Sequence, residues 1–162
     1  MNRLDVIQSK IIDINNIEPL LTYWKLKNRK LVFTNGCFDI IHRGHVEYLA
    51  QAADYGDELI IGLNTDSSVR RLKGKTRPVQ DEIARAIMMA SLQFVSTVIL
   101  FDEDTPYELI KKVQPDVLIK GSDYNIENIV GYDIVKAKGG EVKTIDFIDG
   151  YSTTSIIEKL KK

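Results

Sequence analysis

The chain reads as an α/β protein: a doubly wound, Rossmann-like parallel sheet of five strands with helices on both faces. Two observations point there. Strand-like and helix-like stretches alternate from end to end, and the strand stretches are short and almost wholly apolar, as in strands covered on both faces. A third observation bounds the answer. The 162 residues show no internal repeat, low-complexity tract or long linker, so one domain with a short extension is expected. Residues 1–29 are read as an N-terminal helical extension, with 1–16 as a loose arm, and residues 30–162 as the main domain.

Ile17, Leu20, Leu21 and Trp24 recur at i, i+3, i+4 and i+7, which marks one face of a helix. Leu31 to Thr34 is the first strand, and Val46, Leu49, Ala50 and Ala53 form the stripe of the next helix. Glu58 to Leu63 is the second strand. Asp66 is read as the N-cap of a helix over Ser67 to Leu72. A basic loop, Lys73 to Pro78, leads to a helix marked by Ile83, Ala84, Ile87 and Ala90. Thr97 to Phe101 is the third strand. Thr105, Pro106 and Glu108 supply an N-cap, an N1 proline and a capping-box acid for a helix ending near Val113. Asp116 to Lys120 is the fourth strand. A helix over Tyr132 to Lys138 stops at Gly139-Gly140, and Glu141 to Ile145 is the fifth strand. The last helix follows Ser152-Thr153-Thr154. The expected strand order is 3-2-1-4-5 with right-handed crossovers. Ligands then sit beyond the carboxyl ends of strands 1 and 4, where the order reverses.

Composition narrows the function. Hydrophobic residues make up 44% of the chain, charged residues 28%, and net charge is −1. That is ordinary for a globular protein and gives no global field for nucleic acid or an anionic membrane. Cys37 is the only cysteine, so no intramolecular disulfide is open to the chain. The first ten residues carry no signal-peptide core, and no apolar run approaches a bilayer span. A cytoplasmic protein, with no membrane or nucleic-acid partner, is the expectation.

The junction after the first strand carries the chemistry. Thr34-Asn35-Gly36-Cys37-Phe38-Asp39 is followed by His42-Arg43-Gly44-His45, and these are the only two histidines in the chain. A helix start presents unpaired N–H groups and the positive end of a dipole, which favours phosphate. Two imidazoles beside it suit a triphosphate. Zinc is the weaker rival, because no third histidine or second cysteine completes a ligand set. Ser152, Thr153 and Thr154 stand at a second helix start, as caps, as phosphate ligands, or as both. Lys120 ends a buried strand, where its charge needs a partner, either Asp123 or a ligand phosphate. Phe38 and Tyr151 are candidates for nucleobase contact or for core, and Cys37 is most simply a small loop residue.

The run from Asn35 through His45 resembles the HxGH signature of the cytidylyltransferase-like nucleotidyltransferases. Further segments match in order: Leu72 to Val79, Asp102 to Pro106, Lys120-Gly121-Ser122-Asp123-Tyr124, and Asp149 to Thr154. Together they most resemble the adenylyltransferase domain of enzymes that make ADP-heptose, a lipopolysaccharide core precursor, in a stand-alone form without the sugar kinase often fused to it. The resemblance implies a nucleotidyltransferase fold and AMP transfer from ATP to D-glycero-D-manno-heptose 1-phosphate. It implies His42, His45 and Lys73 as catalytic groups. Thr34, Asn35, Gly36, Cys37, Phe38, Gly44, Lys120, Gly121, Asp123, Tyr124, Ser152, Thr153 and Thr154 would hold the nucleotide. Asn64, Asp66, Arg77 and Arg85 are implied substrate contacts, although Arg85 alone would read as a surface helix residue. No carboxylate cage for a metal is evident, so magnesium is expected to arrive with ATP. Relatives are often dimers, which makes a homo-oligomer the expectation. Two alternatives remain: a cytidylyltransferase acting on an alcohol phosphate such as glycerol 3-phosphate, and a non-catalytic nucleotide sensor. The sequence departs from some relatives in one place: Phe147, Ile148 and Asp149 stand where they carry an arginine.

Overall fold

The computed structural model describes residues 2–122, 125–148 and 150–160. In chain order the elements are α1 (Arg3–Ser9), α2 (Glu18–Leu26), β1 (Leu31–Gly36), α3 (Arg43–Ala53), β2 (Glu58–Asn64), α4 (Asp66–Lys73) and α5 (Glu82–Ala90). There follow β3 (Thr97–Phe101), α6 (Tyr107–Val113), β4 (Val117–Gly121), α7 (Tyr132–Ala137), β5 (Glu141–Ile145) and α8 (Thr153–Leu160). The strands form one sheet in the order β3-β2-β1-β4-β5, and every pair is parallel. The expected order is therefore the observed one. The reversal falls between β1 and β4, so the loops after Gly36 and Gly121 open on the same crevice.

Strand alternation splits the core in two. Val32, Leu59, Ile61, Leu63, Val98, Val117 and Ile119 face a cluster that includes Leu49, Ala52, Met89 and Ala90 from α3 and α5. Their neighbours Phe33, Ile60, Ile99 and Leu118 face a second cluster, filled by Leu21 and Trp24 of α2, Leu109, Ile110 and Val113 of α6, and Val135 of α7. Side chains alternate across a pleated strand, so one apolar run feeds both layers.

Several local readings are corrected. The buried face of α3 is Gly44, Tyr48, Leu49 and Ala52, rotated from the expected Val46–Leu49–Ala50–Ala53 stripe because Tyr48 turns inward to bond Thr34. The buried face of α5 is Arg85, Ala86, Met89 and Ala90, while Ile83 is 68% exposed. An inward-turned arginine displaces the apolar stripe there. Thr65, not Asp66, caps α4 by accepting from the Ser68 N–H, which leaves the Asp66 carboxylate for ion pairing. Pro106 occupies the N-cap position of α6 with no side-chain cap. The segment read as a loose arm is tied to the sheet: Ile11 bridges Val98 in parallel, and the Val98 N–H and Thr97 Oγ1 both donate to the Lys10 carbonyl, at 2.9 and 2.7 Å.

Candidate active site at the switch point

A pocket of about 520 Å³ opens at the carboxyl ends of β1 and β4. Its walls bring together Asn35, Gly36, Cys37 and Phe38 after β1, His45 on α3, Asn64 at the end of β2, Lys73 and Arg77 of the basic loop, Lys120 and Gly121 of β4, and Thr153 at the start of α8. Residues far apart in sequence meet there because a parallel sheet puts all its βα loops at one end.

The histidine pair is built as follows. His42 is the N-cap of α3, with backbone angles in the extended region, and its Nδ1 accepts from the His45 N–H at 3.4 Å. One helical turn later the His45 ring stacks on His42, with centroids 3.8 Å apart and planes 19° apart. Gly44 makes this stacking feasible. A Cβ there would lie 3.1 Å from the His42 ring and 3.2 Å from Tyr151, tighter than ordinary contact. Phe38 meets the other side of His45 edge-on at 5.3 Å and holds a left-handed φ of 42°, an uncommon conformation for a bulky residue. His45 Nδ1 is buried and has no hydrogen-bond partner among the described residues. Burial is the main force that holds the His45 pKa down at about 4, helped by repulsion from His42 and Lys73 and opposed by the Ile40 backbone. Burial lowers His42 as well. Both rings are therefore neutral at pH 7, and His45 can donate a hydrogen bond without carrying a charge. His45 lines the pocket, whereas His42 lies behind it as cap and stacking partner.

Lys73 is the exposed last residue of α4 and reaches the pocket wall. Gly74 follows with φ 94°, a left-handed turn that suits glycine and releases the loop from the helix. The far end of that loop is anchored. The Asp39 side chain is 1% exposed and accepts from Arg77 Nε at 2.6 Å, the Val79 N–H at 2.8 Å and the Gln80 N–H at 3.0 Å. Burial alone would raise the Asp39 pKa, but these three bonds outweigh it and lower the carboxyl below its ordinary value. Asp39 was not among the expected site residues. Its partners lie about forty residues away, so no local pattern announces them.

Other expected contacts are placed elsewhere. Thr34 is buried and shares a 2.8 Å hydrogen bond with the Tyr48 hydroxyl, outside the pocket wall. Asp66 pairs with Arg85 at 2.8 Å and with Arg70 at 3.9 Å and does not line the pocket. Arg85 is fully buried rather than on the surface, and it too is absent from the pocket wall. Asn64 does line the pocket, with its Nδ2 bonded to Ser68 Oγ at 3.0 Å. Ser152 Oγ accepts from the Ser155 N–H at 3.0 Å, the bond of an N-cap. Thr153 faces the pocket, and its Oγ1 bonds the Ile40 carbonyl at 3.4 Å. Thr154 is exposed and off the wall. Asp123 and Tyr124 lie outside the described residues. Tyr151 does not line the pocket; it is 42% exposed, beneath the Arg43 guanidinium. Asn128, Ile129, Val130 and Phe147 also line the wall. They sit on a 3₁₀ turn and a loop whose sequence offers no periodic signal.

Among the described residues no group of three or more His, Cys, Asp or Glu side chains could hold a metal. The pocket carboxylates are engaged: Asp39 by the basic loop, and Asp104 by Arg71 Nε at 2.9 Å. Burial pushes the Cys37 thiol up, which disfavours a nucleophilic thiolate.

A sequence model of the family described as cytidylyltransferase-like matches residues 33–159. Among curated relatives, the "Bifunctional protein HldE" of Wolinella succinogenes is 49% identical over 154 residues, covering 95% of this chain and 32% of that protein. The protein of the same name from Campylobacter jejuni subsp. jejuni is 55% identical over 148 residues, covering 91% and 31%. The chain thus spans about a third of the length of the curated relatives it matches. Among solved structures, a lipopolysaccharide core biosynthesis protein from Thermoplasma volcanium superposes with a TM-score of 0.61 at 30% identity, covering 76% of this chain and 99% of that one. A pantoate-beta-alanine ligase from Francisella tularensis, complexed with beta-gamma ATP and beta-alanine, gives a TM-score of 0.60 at 15% identity, covering 93% of this chain and 76% of that one, a likeness of fold alone.

Proposed function

The chain belongs to the cytidylyltransferase-like family of nucleotidyltransferases, and from that premise we propose that it transfers AMP from ATP to a sugar 1-phosphate, D-glycero-D-manno-heptose 1-phosphate, giving ADP-heptose and pyrophosphate. The observation that carries this reading is the neutral, stacked His45, which shares one pocket with Lys73, Lys120 and the start of α8. An oxygen of the sugar phosphate attacks the α-phosphorus, a new P–O bond forms, the α–β bridge breaks, and pyrophosphate leaves. The nucleophile is already ionised at neutral pH, so no general base is needed. What is needed is alignment of two polyanions and neutralisation of charge on the leaving group. His45 Nε2–H donates to a phosphate oxygen, Lys73 and Lys120 supply positive charge, and the α3 and α8 starts supply N–H donors. No described residue cluster is built to hold a metal; magnesium brought by the nucleotide would supply further neutralisation of phosphate charge.

The choice of heptose rests on the lipopolysaccharide relative and on the match of the 72–79, 102–106 and 120–124 segments to ADP-heptose enzymes. The same reading takes residues 30–162 as the nucleotidyltransferase domain and 1–29 as its extension. It describes a cytoplasmic homodimer with small-molecule partners and no nucleic acid. No helix among the described residues is long and apolar enough to cross a membrane.

The test is a product assay by mass spectrometry with ATP or CTP and a panel of sugar 1-phosphates and glycerol 3-phosphate. ADP-heptose with stoichiometric pyrophosphate is expected. Formation of CDP-glycerol instead, or ATP binding with no sugar-dependent pyrophosphate release, overturns the proposal.

A further inference from the structure

The family resemblance assigns Arg85 to a phosphate, yet the structure turns it inward, fully buried and away from the pocket wall. Its guanidinium makes four bonds to three segments: the loop after β1, the β2–α4 junction and the end of the basic loop. Nη1 donates to the Cys37 carbonyl at 2.7 Å and the Asn64 carbonyl at 2.8 Å. Nε donates to the Gln80 carbonyl at 3.1 Å, and Nη2 to Asp66 Oδ1 at 2.8 Å. Cys37 belongs to the loop after β1 and Gln80 to the anchored end of the basic loop.

We propose that Arg85 is a positioning residue for nucleotidyl transfer, holding the loop after β1 and the basic loop in one fixed frame from behind the pocket. The planar guanidinium fork suits this task. It addresses several carbonyls at fixed angles, which a lysine ammonium does not. Two further observations support the role. Gln80 is held from both sides, its N–H by Asp39 and its C=O by Arg85. The Cys37–Phe38 peptide is trans, so a carbonyl turned toward Arg85 aims the Phe38 N–H the opposite way. Among the described residues that N–H has no protein acceptor. Arg85 therefore fixes both the distance between the two loops and the orientation of a free donor in the loop after β1. It acts on the reaction through backbone it grips, without touching either substrate.

This inference rests on the transferase reading, so the wild-type assay above comes first. Absence of turnover there sinks that reading, whereas the inference is decided by variants of an active enzyme. Arg85→Lys, Arg85→Ala and Asp66→Asn are compared by kcat and KM per folded molecule, with melting temperature measured alongside. A shift of about 1 Å between aligned reactants can cost roughly 100-fold in rate. Arg85→Lys is therefore expected to lose about 100-fold in kcat, with the KM for ATP within about threefold. Asp66→Asn keeps an acceptor for Nη2 and should lose less, about fivefold. Added guanidinium should restore about tenfold of the lost kcat in Arg85→Ala. If Arg85→Ala does not fold, the other two variants decide. A kcat per folded molecule within threefold of wild type in Arg85→Lys, or a loss carried entirely by KM, overturns the proposal. So does guanidinium that raises the melting temperature of Arg85→Ala without raising kcat, since a purely structural arginine would behave that way.

Discussion

His45 is a neutral donor because its surroundings forbid the charged form. Ordinary imidazoles titrate near 6.5; burial and the stacked His42 bring this one to about 4. Between those values the unfolded chain binds a proton that the folded one refuses. Stability therefore rises with pH across the window: it is full above about 6.5 and is lost progressively toward about 4. Integrated from pH 7.5 to 5, the loss amounts to at most about 2 kcal/mol. Urea denaturation at the two pH values should show that slope in the wild type and a flatter one in His45→Gln. Equal slopes would remove burial as the cause. The same variant should lose about 100-fold in kcat, in line with the ~2.7–4 kcal/mol assigned to a preorganised donor in a transition state, while ATP affinity changes far less. At this scale the sequence spoke clearly about the pair, since both histidines flank one glycine at a strand-to-helix junction. It was silent about their division of labour, because only the folded geometry makes His42 a cap and leaves His45 lining the pocket.

The basic loop shows how an element can be firm at one end and free at the other. Lys73 through Thr76 are exposed, whereas Arg77, Val79 and Gln80 are bound to one buried carboxylate. Lys73→Ala removes an exposed charge with no ion-pair partner among the described residues. It should leave the melting temperature nearly unchanged and lower kcat/KM by about 100-fold if Lys73 neutralises pyrophosphate. Asp39→Ala strands a part-buried guanidinium and two N–H groups, which should cost about 3 kcal/mol and raise the KM for the sugar phosphate. Thermal melts and steady-state kinetics on both variants separate the two roles; a large thermal loss in Lys73→Ala would contradict the split. Element identity was readable from the alternation of apolar stripes. Element orientation was less so. A stripe reading assumes apolar residues point inward, and that fails on α5, where Arg85 takes the core position and Ile83 is left in solvent. It fails on α3 for a similar reason, the buried hydroxyl pair of Tyr48 and Thr34. In both places a polar network behind the site overrode hydrophobic patterning. That is where local rules are expected to break.

For the whole molecule, the doubly wound sheet separates stability from chemistry by location. Loops at the carboxyl ends of the strands carry the pocket, and the two apolar layers lie alongside the strands. Trp24 belongs to the second layer. It is 5% exposed and packed in the cluster that holds Leu21, Phe33 and Val113, and no described residue before Asn35 lines the pocket. Trp24→Ala should cost about 3–5 kcal/mol through the cavity it leaves, which for a chain this long lowers the melting temperature by roughly 6–20 °C. Below its own melting point the variant should turn over at the wild-type rate per folded molecule. The prediction is specific because α2 precedes β1, the strand that leads into the first pocket loop. If loosening α2 shifted β1, kcat would fall together with stability. Two parallel neighbours hold β1 and its register instead: β2 on one side, itself backed by β3, and β4 on the other, backed by β5. A hydrogen-bonded strand at the centre of a sheet cannot slide without breaking both ladders, so damage in one flanking layer stays a matter of stability. Calorimetry and kinetics on the same preparation would show the two quantities moving independently, and a matched loss in both would mean that the layer, rather than the ladder, sets the pocket.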